Sequence, residues 1–252
     1  MRSKGKVILV AGVGTGLGSA VVSLLATAGA TVIGVARSRS SLEALEKHAT
    51  NRGWSFRAVT ADLRVQPEVT AAVETVMNEF GRLDGVSIDA GHWISGDTLL
   101  HLTTEEDWSA GLNDNLNAIH RLGRAALPPM IQQGHGSVVL VSAAERVRRL
   151  GNPSYCTAKG GIIDLTGKLA ADYRRFGIRF NAVLPGNMER HLESLDPPEG
   201  GSPVPLLTNA GVDAWQVARA IRYLLLEDGE WVTGAVLTVD GGQSTGGQEP
   251  TH

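Results

Sequence analysis

The stretch YCTAK places Tyr155 four residues before Lys159, just after a Gly-Asn-Pro turn. On a helix the two side chains share one face, one turn apart. A lysine cation beside a phenol favours the phenolate, lowering a tyrosine pKa from about 10 towards the range of a working acid–base group. The bland alternative is a surface tyrosine with an unrelated lysine. The pentapeptide alone does not decide between them.

A second stretch offers different chemistry. AGVGTGLG (11–18) has glycines at 12, 14, 16 and 18, after an apolar run and before a helical pattern. Such a turn lets the backbone approach a pyrophosphate, which rests on the free N–H groups and positive end of the helix. The spacing Gly12-x3-Gly16-x-Gly18 differs from the common GxGxxG, and no Gly-Lys-Ser/Thr follows, which excludes a Walker A loop. VARSRSS (35–41) closes the second apolar run without the acidic residue that holds a ribose 2′-hydroxyl. Arg37, helped by Ser38, can instead pair with a 2′-phosphate. The expected cofactor is therefore NADP(H), with NAD(H) as the alternative; a merely solvated Arg37 is the competing explanation.

The elements that must position these residues alternate. Buried-strand patterns at 6–12, 30–37, 55–63, 84–91, 136–143, 178–186 and 234–242 are separated by helical patterns at 17–28, 67–80, 105–133, 153–176 and 212–228, with a serine-capped helix after the second strand. A βαβ series of continuously apolar strands predicts a Rossmann-type α/β fold, a doubly wound sheet of about seven parallel strands with helices on both faces. No repeat or linker divides residues 1–252, so a single domain is expected, with a lid around 187–211 and a frayed tail at 243–252.

The composition is that of an ordinary soluble protein: 252 residues, 42% hydrophobic, 19% charged, net charge −3. The charge gives no reason to expect nucleic acid or an anionic membrane as partner. The single cysteine, Cys156, cannot form an intramolecular disulfide, no cluster suggests a metal, and no run approaches a membrane span. A cytoplasmic protein is expected.

AGVGTGLG, ADL, DAG, NLN, VSA, YCTAK and LPG, in that order, resemble the marks of the short-chain dehydrogenase/reductase family, over 6–242. Within it the chain is similar to the 3-oxoacyl-carrier-protein reductase-like members. The resemblance implies a catalytic set of Asn115, Ser142, Tyr155 and Lys159. Tyr155 would exchange a proton with the substrate oxygen and Ser142 would orient that oxygen. Lys159 would lower the tyrosine's pKa and bind the nicotinamide ribose; Asn115 would support a water leading to solvent. It also implies a cofactor contact along Gly12, Gly14, Thr15, Gly16, Leu17 and Gly18. Asp62 and Leu63 would lie by the adenine, Ala90 and Gly91 by a ribose, and Pro185, Gly186 and Met188 near the nicotinamide. A homotetramer or homodimer follows from the same resemblance.

Two departures stand out. Asn-Asn-Ala-Gly is usual after the fourth strand, and Ile88-Asp89-Ala90-Gly91 stands here. An ionised Asp89 accepts hydrogen bonds but cannot donate, so its burial needs partners or a raised pKa. Arg190 occupies the usual place of a threonine near the nicotinamide amide. For the substrate, the resemblance points to His92, Trp93, Arg148 and Arg190, and to the loop 143–154 with its arginines at 146, 148 and 149. Cationic side chains there would suit an acidic or carrier-linked substrate, although solvated arginines are the plainer explanation. The expected activity is hydride transfer between NADP(H) and a ketone or secondary alcohol. The alternatives are an NAD-dependent sugar, polyol or hydroxysteroid dehydrogenase, and a non-catalytic cofactor-binding sensor or scaffold.

Overall fold

The computed structural model describes residues 4–91, 93, 98–188, 191–198 and 211–245. Seven parallel strands form one sheet: β1 (Val7–Ala11), β2 (Thr31–Ala36), β3 (Phe56–Thr60), β4 (Gly85–Ile88), β5 (Gly136–Val141), β6 (Ile178–Pro185) and β7 (Val236–Val239), in the order β3-β2-β1-β4-β5-β6-β7. The direction of strand progression reverses between β1 and β4. At such a switch point the loops leaving two neighbouring strands part, opening a crevice at their carboxyl ends.

Alternation along β1 explains why both faces are covered. Ile8 and Val10 pack in one cluster with α1 (Leu17–Thr27), α2 (Arg39–Arg52) and α8 (Ala214–Leu225). Val7, Leu9 and Ala11 pack in the other with α3 (Gln66–Phe80), α5 (Ala118–Gln133) and α7 (Pro153–Tyr173). Each buried aliphatic side chain contributes about 1.5–3 kcal/mol. The helix expected over 105–133 is in three parts: α4 (Glu105–Leu112), a π-helical turn (Asn113–Asn117) and α5. The expected loop after β5 contains a short helix, α6 (Glu145–Leu150). Ser38 stands at the N-cap of α2, but its hydroxyl meets Ser40 at 2.7 Å instead of capping the helix. Residues 243–245, expected in the tail, form a turn on Asp240, whose carboxylate accepts from the Gly242 and Ser244 N–H groups at 2.9 and 2.8 Å.

At the opposite end of the sheet, buried Asp84 ties β1 to the start of β5. It accepts from the Val7 N–H at 2.8 Å, from Arg82 at 2.8 and 2.6 Å, and meets His135 Nε2 at 3.0 Å. Burial alone would raise its pKa, but the Arg82 fork, the Val7 N–H and His135 outweigh it and hold the carboxyl below its ordinary value. A depressed folded-state pKa contributes stability that is present above the ordinary aspartate value of about 3.9 and is lost as pH falls through the folded value. Asp84→Ala should therefore cost roughly 2–3 kcal/mol at neutral pH. In urea titrations the gap from the wild type should shrink in acid.

Candidate active site

Tyr155 and Lys159 lie in the first two turns of α7. Pro153 begins that helix, and the Asn152 side chain caps it by accepting from the Tyr155 N–H at 2.8 Å. Both side chains are buried and turn toward the carboxyl end of β5. Lys159 Nζ donates to the Val141 carbonyl at 3.0 Å and stands 6.0 Å from the centre of the Tyr155 ring. Ser142 follows β5, and its hydroxyl donates to the Lys159 main-chain carbonyl at 2.6 Å. To donate to a substrate carbonyl oxygen it must release that carbonyl, its one proton being committed there.

Asn115 sits in the π-helical turn, fully buried, with its Nδ2 donating to the Gly111 carbonyl at 3.0 Å. A π turn widens the helix locally and commonly marks a functional position. Asn115 and Lys159 converge on Gly91: a Cβ there would stand 2.7 Å from Asn115 Oδ1 and 2.8 Å from Lys159 Nζ. Only glycine leaves both side chains where they are.

These residues open into a cleft of about 780 Å³. The glycine turn forms one wall from Gly12 through Gly14, Thr15, Gly16 and Leu17 to Gly18. Gly12 has φ +102°, and a Cβ on it would meet the Ala90 nitrogen at 2.5 Å, so the turn is pressed against the loop leaving β4. Pro185, at the end of β6, and Gly186 and Met188 just beyond it close the far side. A second hollow of about 270 Å³ adjoins the cleft and shares Gly12, Asp89 and Gly91 with it. Arg37, Ser38, Asp62, Leu63 and Ala90 line this hollow. The expected catalytic residues and all the expected cofactor contacts thus border one continuous crevice.

Several side chains along it were not singled out in the sequence. Arg64 also lines the hollow and grips Asp62 through paired contacts at 2.7 and 3.0 Å, and this hydrogen-bonded fork is the main reason the Asp62 carboxyl is held below its ordinary value. An arginine directly after ADL carried no motif. Gln243 meets the Asn187 N–H at 3.2 Å and borders the cleft, although the sequence assigns it to the tail.

Of the expected substrate residues, Trp93 stands edge-on to Tyr155, ring centres 4.9 Å apart. Arg148 is not at the cleft: its guanidinium donates to the Ala143 carbonyl at 2.8 Å, because its place on α6 turns it back over the helix start. Arg149 pairs with Glu145 at 2.5 Å. The face of α6 toward the cleft carries Arg146, Val147 and Leu150. His92, Arg190 and most of the lid at 187–211 lie outside the described residues. The segment 191–198 crosses the glycine turn: Leu192 N–H donates to the Thr15 carbonyl at 2.8 Å and His191 Nδ1 meets the Thr15 hydroxyl at 2.8 Å. Asp196 then anchors on α2 through Arg52 at 2.7 Å and His48 at 3.0 Å.

The electrostatics at the centre depend on one buried pair. Burial pushes Lys159 down to about 8, with Asp89 opposing. Burial pushes Asp89 up to about 7, against the Ser87 hydrogen bond at 2.5 Å and the Lys159 charge. Among the described residues no His, Cys, Asp and Glu group is placed to hold a metal ion, and no described helix is long and apolar enough to cross a membrane.

Comparison with known proteins agrees with this geometry. Residues 6–196 match the family described as short chain dehydrogenase. The 3-oxoacyl-(acyl-carrier-protein) reductase of Thermotoga maritima is 33% identical, covering 96% of this chain and 99% of its own. The crystal structure of levodione reductase superposes with a TM-score of 0.84 at 29% identity, covering 98% of this chain and 100% of that one. NAD+-bound xylitol dehydrogenase superposes with a TM-score of 0.84 at 26% identity, covering 96% and 100%. The chain belongs to the short-chain dehydrogenase family of oxidoreductases.

Proposed function

We propose that the protein transfers a hydride between NADP(H) and a ketone or secondary alcohol, with Tyr155 as the acid–base group. The single observation that carries this is the convergence of Tyr155, Lys159, Ser142 and Asn115 on one crevice walled by the glycine turn. The residues present fit a dinucleotide. A Cβ at Gly18 would stand 2.6 Å from the Gly12 carbonyl and one at Gly12 would strike Ala90, so this wall is bare backbone next to the start of α1. Free N–H groups at a helix start, approached without side chains, suit a diphosphate.

When bound, the nicotinamide supplies or accepts the hydride. The chain supplies position and the proton. In the reducing direction the Tyr155 hydroxyl donates its proton to the forming alkoxide, and the Ser142 hydroxyl turns from the Lys159 carbonyl to hydrogen-bond the same oxygen. The Lys159 cation favours the resulting phenolate. Asn115, beside Lys159 at Gly91, holds the route by which that side chain exchanges protons with water. Trp93, Val147 and Leu150 give the substrate an apolar wall, and Arg146 offers a cation at its rim.

Arg37 supports the NADP(H) preference. It is exposed, lines the smaller hollow beside Ser38, and contributes to the low pKa of Asp62 there. Calorimetric titration should find NADPH bound at least tenfold more tightly than NADH, about 1.4 kcal/mol. Arg37→Ala should remove most of that difference with little effect on NADH. Equal affinities in the wild type would reject the role of Arg37. They would favour the second reading, an NAD-linked polyol or sugar dehydrogenase, which the likeness to NAD+-bound xylitol dehydrogenase also supports.

The same reading includes assembly into a homodimer or homotetramer. A groove of about 410 Å³ lined by apolar side chains of α5 and α7, including Leu127, Leu165 and Leu169, supports it. So does the exposure of Trp231, Val236 and Leu237 at the β7 edge.

A further inference from the structure

Asp89 has no role in the chemistry above, yet it stands where the two parts of the crevice meet and borders both. Its Oδ1 accepts from the Ser87 hydroxyl at 2.5 Å. Its Oδ2 is buried and finds no hydrogen-bond partner among the described residues. An ionised carboxylate left so is costly unless a cation faces it. The cation that faces it is Lys159, itself 4% exposed and given one neutral acceptor, the Val141 carbonyl.

We propose that Asp89 is a positioning residue that acts through Lys159: a buried counter-ion whose proton is exchanged with solvent as the charge in the crevice changes, so that cofactor binding is linked to proton exchange. This rests on the dinucleotide reading above. The other ionisable groups bordering the two cavities leave Asp89 without a fixed partner. Tyr155 packs edge-on against Trp93. Asp62 is gripped by Arg64, while Arg37 and Asp114 line the smaller hollow. Arg146 and His191 border the larger cleft, His191 against Thr15. The sign follows from charge. An oxidised nicotinamide ring carries one more positive charge than a reduced one. It therefore favours the ionised carboxylate, and the oxidised complex holds fewer protons than the reduced complex.

The test is calorimetric titration of the full chain with NADP+ and with NADPH, each in buffers of different ionisation enthalpy, around neutral pH. The expected result is that NADP+ binding releases more protons, or takes up fewer, than NADPH binding. The difference should be on the order of a few tenths of a proton per site. Asp89→Asn, which keeps an oxygen to accept from Ser87, should bind both forms but markedly reduce the difference, leaving only the share that Lys159 contributes. Ser87→Ala removes a bond that favours the ionised form, so it should move the linkage to higher pH. This second variant keeps the proposal testable if the first does not fold. An equal proton count for the two forms in the wild type would overturn it. So would a difference undiminished in Asp89→Asn, or one whose pH dependence is unmoved in Ser87→Ala. Failure of the wild type to bind either form would instead overturn the dinucleotide reading, and this inference with it.

Discussion

Tyr155→Phe should lower turnover by about 10²- to 10⁴-fold, the usual contribution of a positioned proton donor. Dinucleotide affinity should be nearly unchanged. Only the hydroxyl is removed; the ring remains to pack edge-on against Trp93 at 4.9 Å. The helix cap at Asn152 uses the Tyr155 backbone N–H, which phenylalanine also has. A fall in kcat without a comparable loss of cofactor binding would mark an interaction made in the transition state. The comparison needs steady-state rates and a binding titration on the same preparations. Undiminished turnover in the variant would remove Tyr155 from the mechanism.

Lys159→Met should be nearly as damaging to turnover, by about 10²-fold or more, through loss of the cation that favours the phenolate. The pH at which alcohol oxidation begins should move upward, because the phenol then gives up its proton less readily. Stability should move differently. The folded protein holds the Lys159 pKa down at about 8. Between that value and the ordinary lysine value of about 10.4, the unfolded chain binds more protons. Stability therefore rises with pH through that window in the wild type, and at neutral pH the buried cation is a cost. Thermal melts should show the upward trend between about pH 8 and pH 10 lost in the variant.

The sheet and its helices were legible in the sequence because continuously apolar strands separated by helical patterns have few alternative arrangements. The glycine turn and the Tyr155–Lys159 pair were legible for a similar reason: their spacing is local, and one element fixes it. What could not be read depends on side-chain direction across elements. Arg146 and Arg148 are two residues apart on a short helix, so they point to different sides; without the helix, neither could be assigned to the cleft. The π turn at Asn115 has no compositional signal, since it arises from how α4 meets α5. Gln243 looked like the start of a polar tail, but the Asp240 carboxylate folds that segment back over Gly186. Asp89 was visible as a departure; that it borders both parts of the crevice and interacts with Lys159 emerged only once the loop leaving β4 was placed in the fold.

The most direct test of nicotinamide-dependent chemistry at this crevice is to follow nicotinamide absorbance. Wild-type protein and Tyr155→Phe would be mixed with NADPH and a panel of ketones that includes acyl thioesters, cyclic diketones and keto-sugars. The predicted result is saturable NADPH binding by both proteins, with ketone-dependent oxidation by the wild type alone. Binding of neither NADPH nor NADH, or equal oxidation by the two proteins, would contradict it.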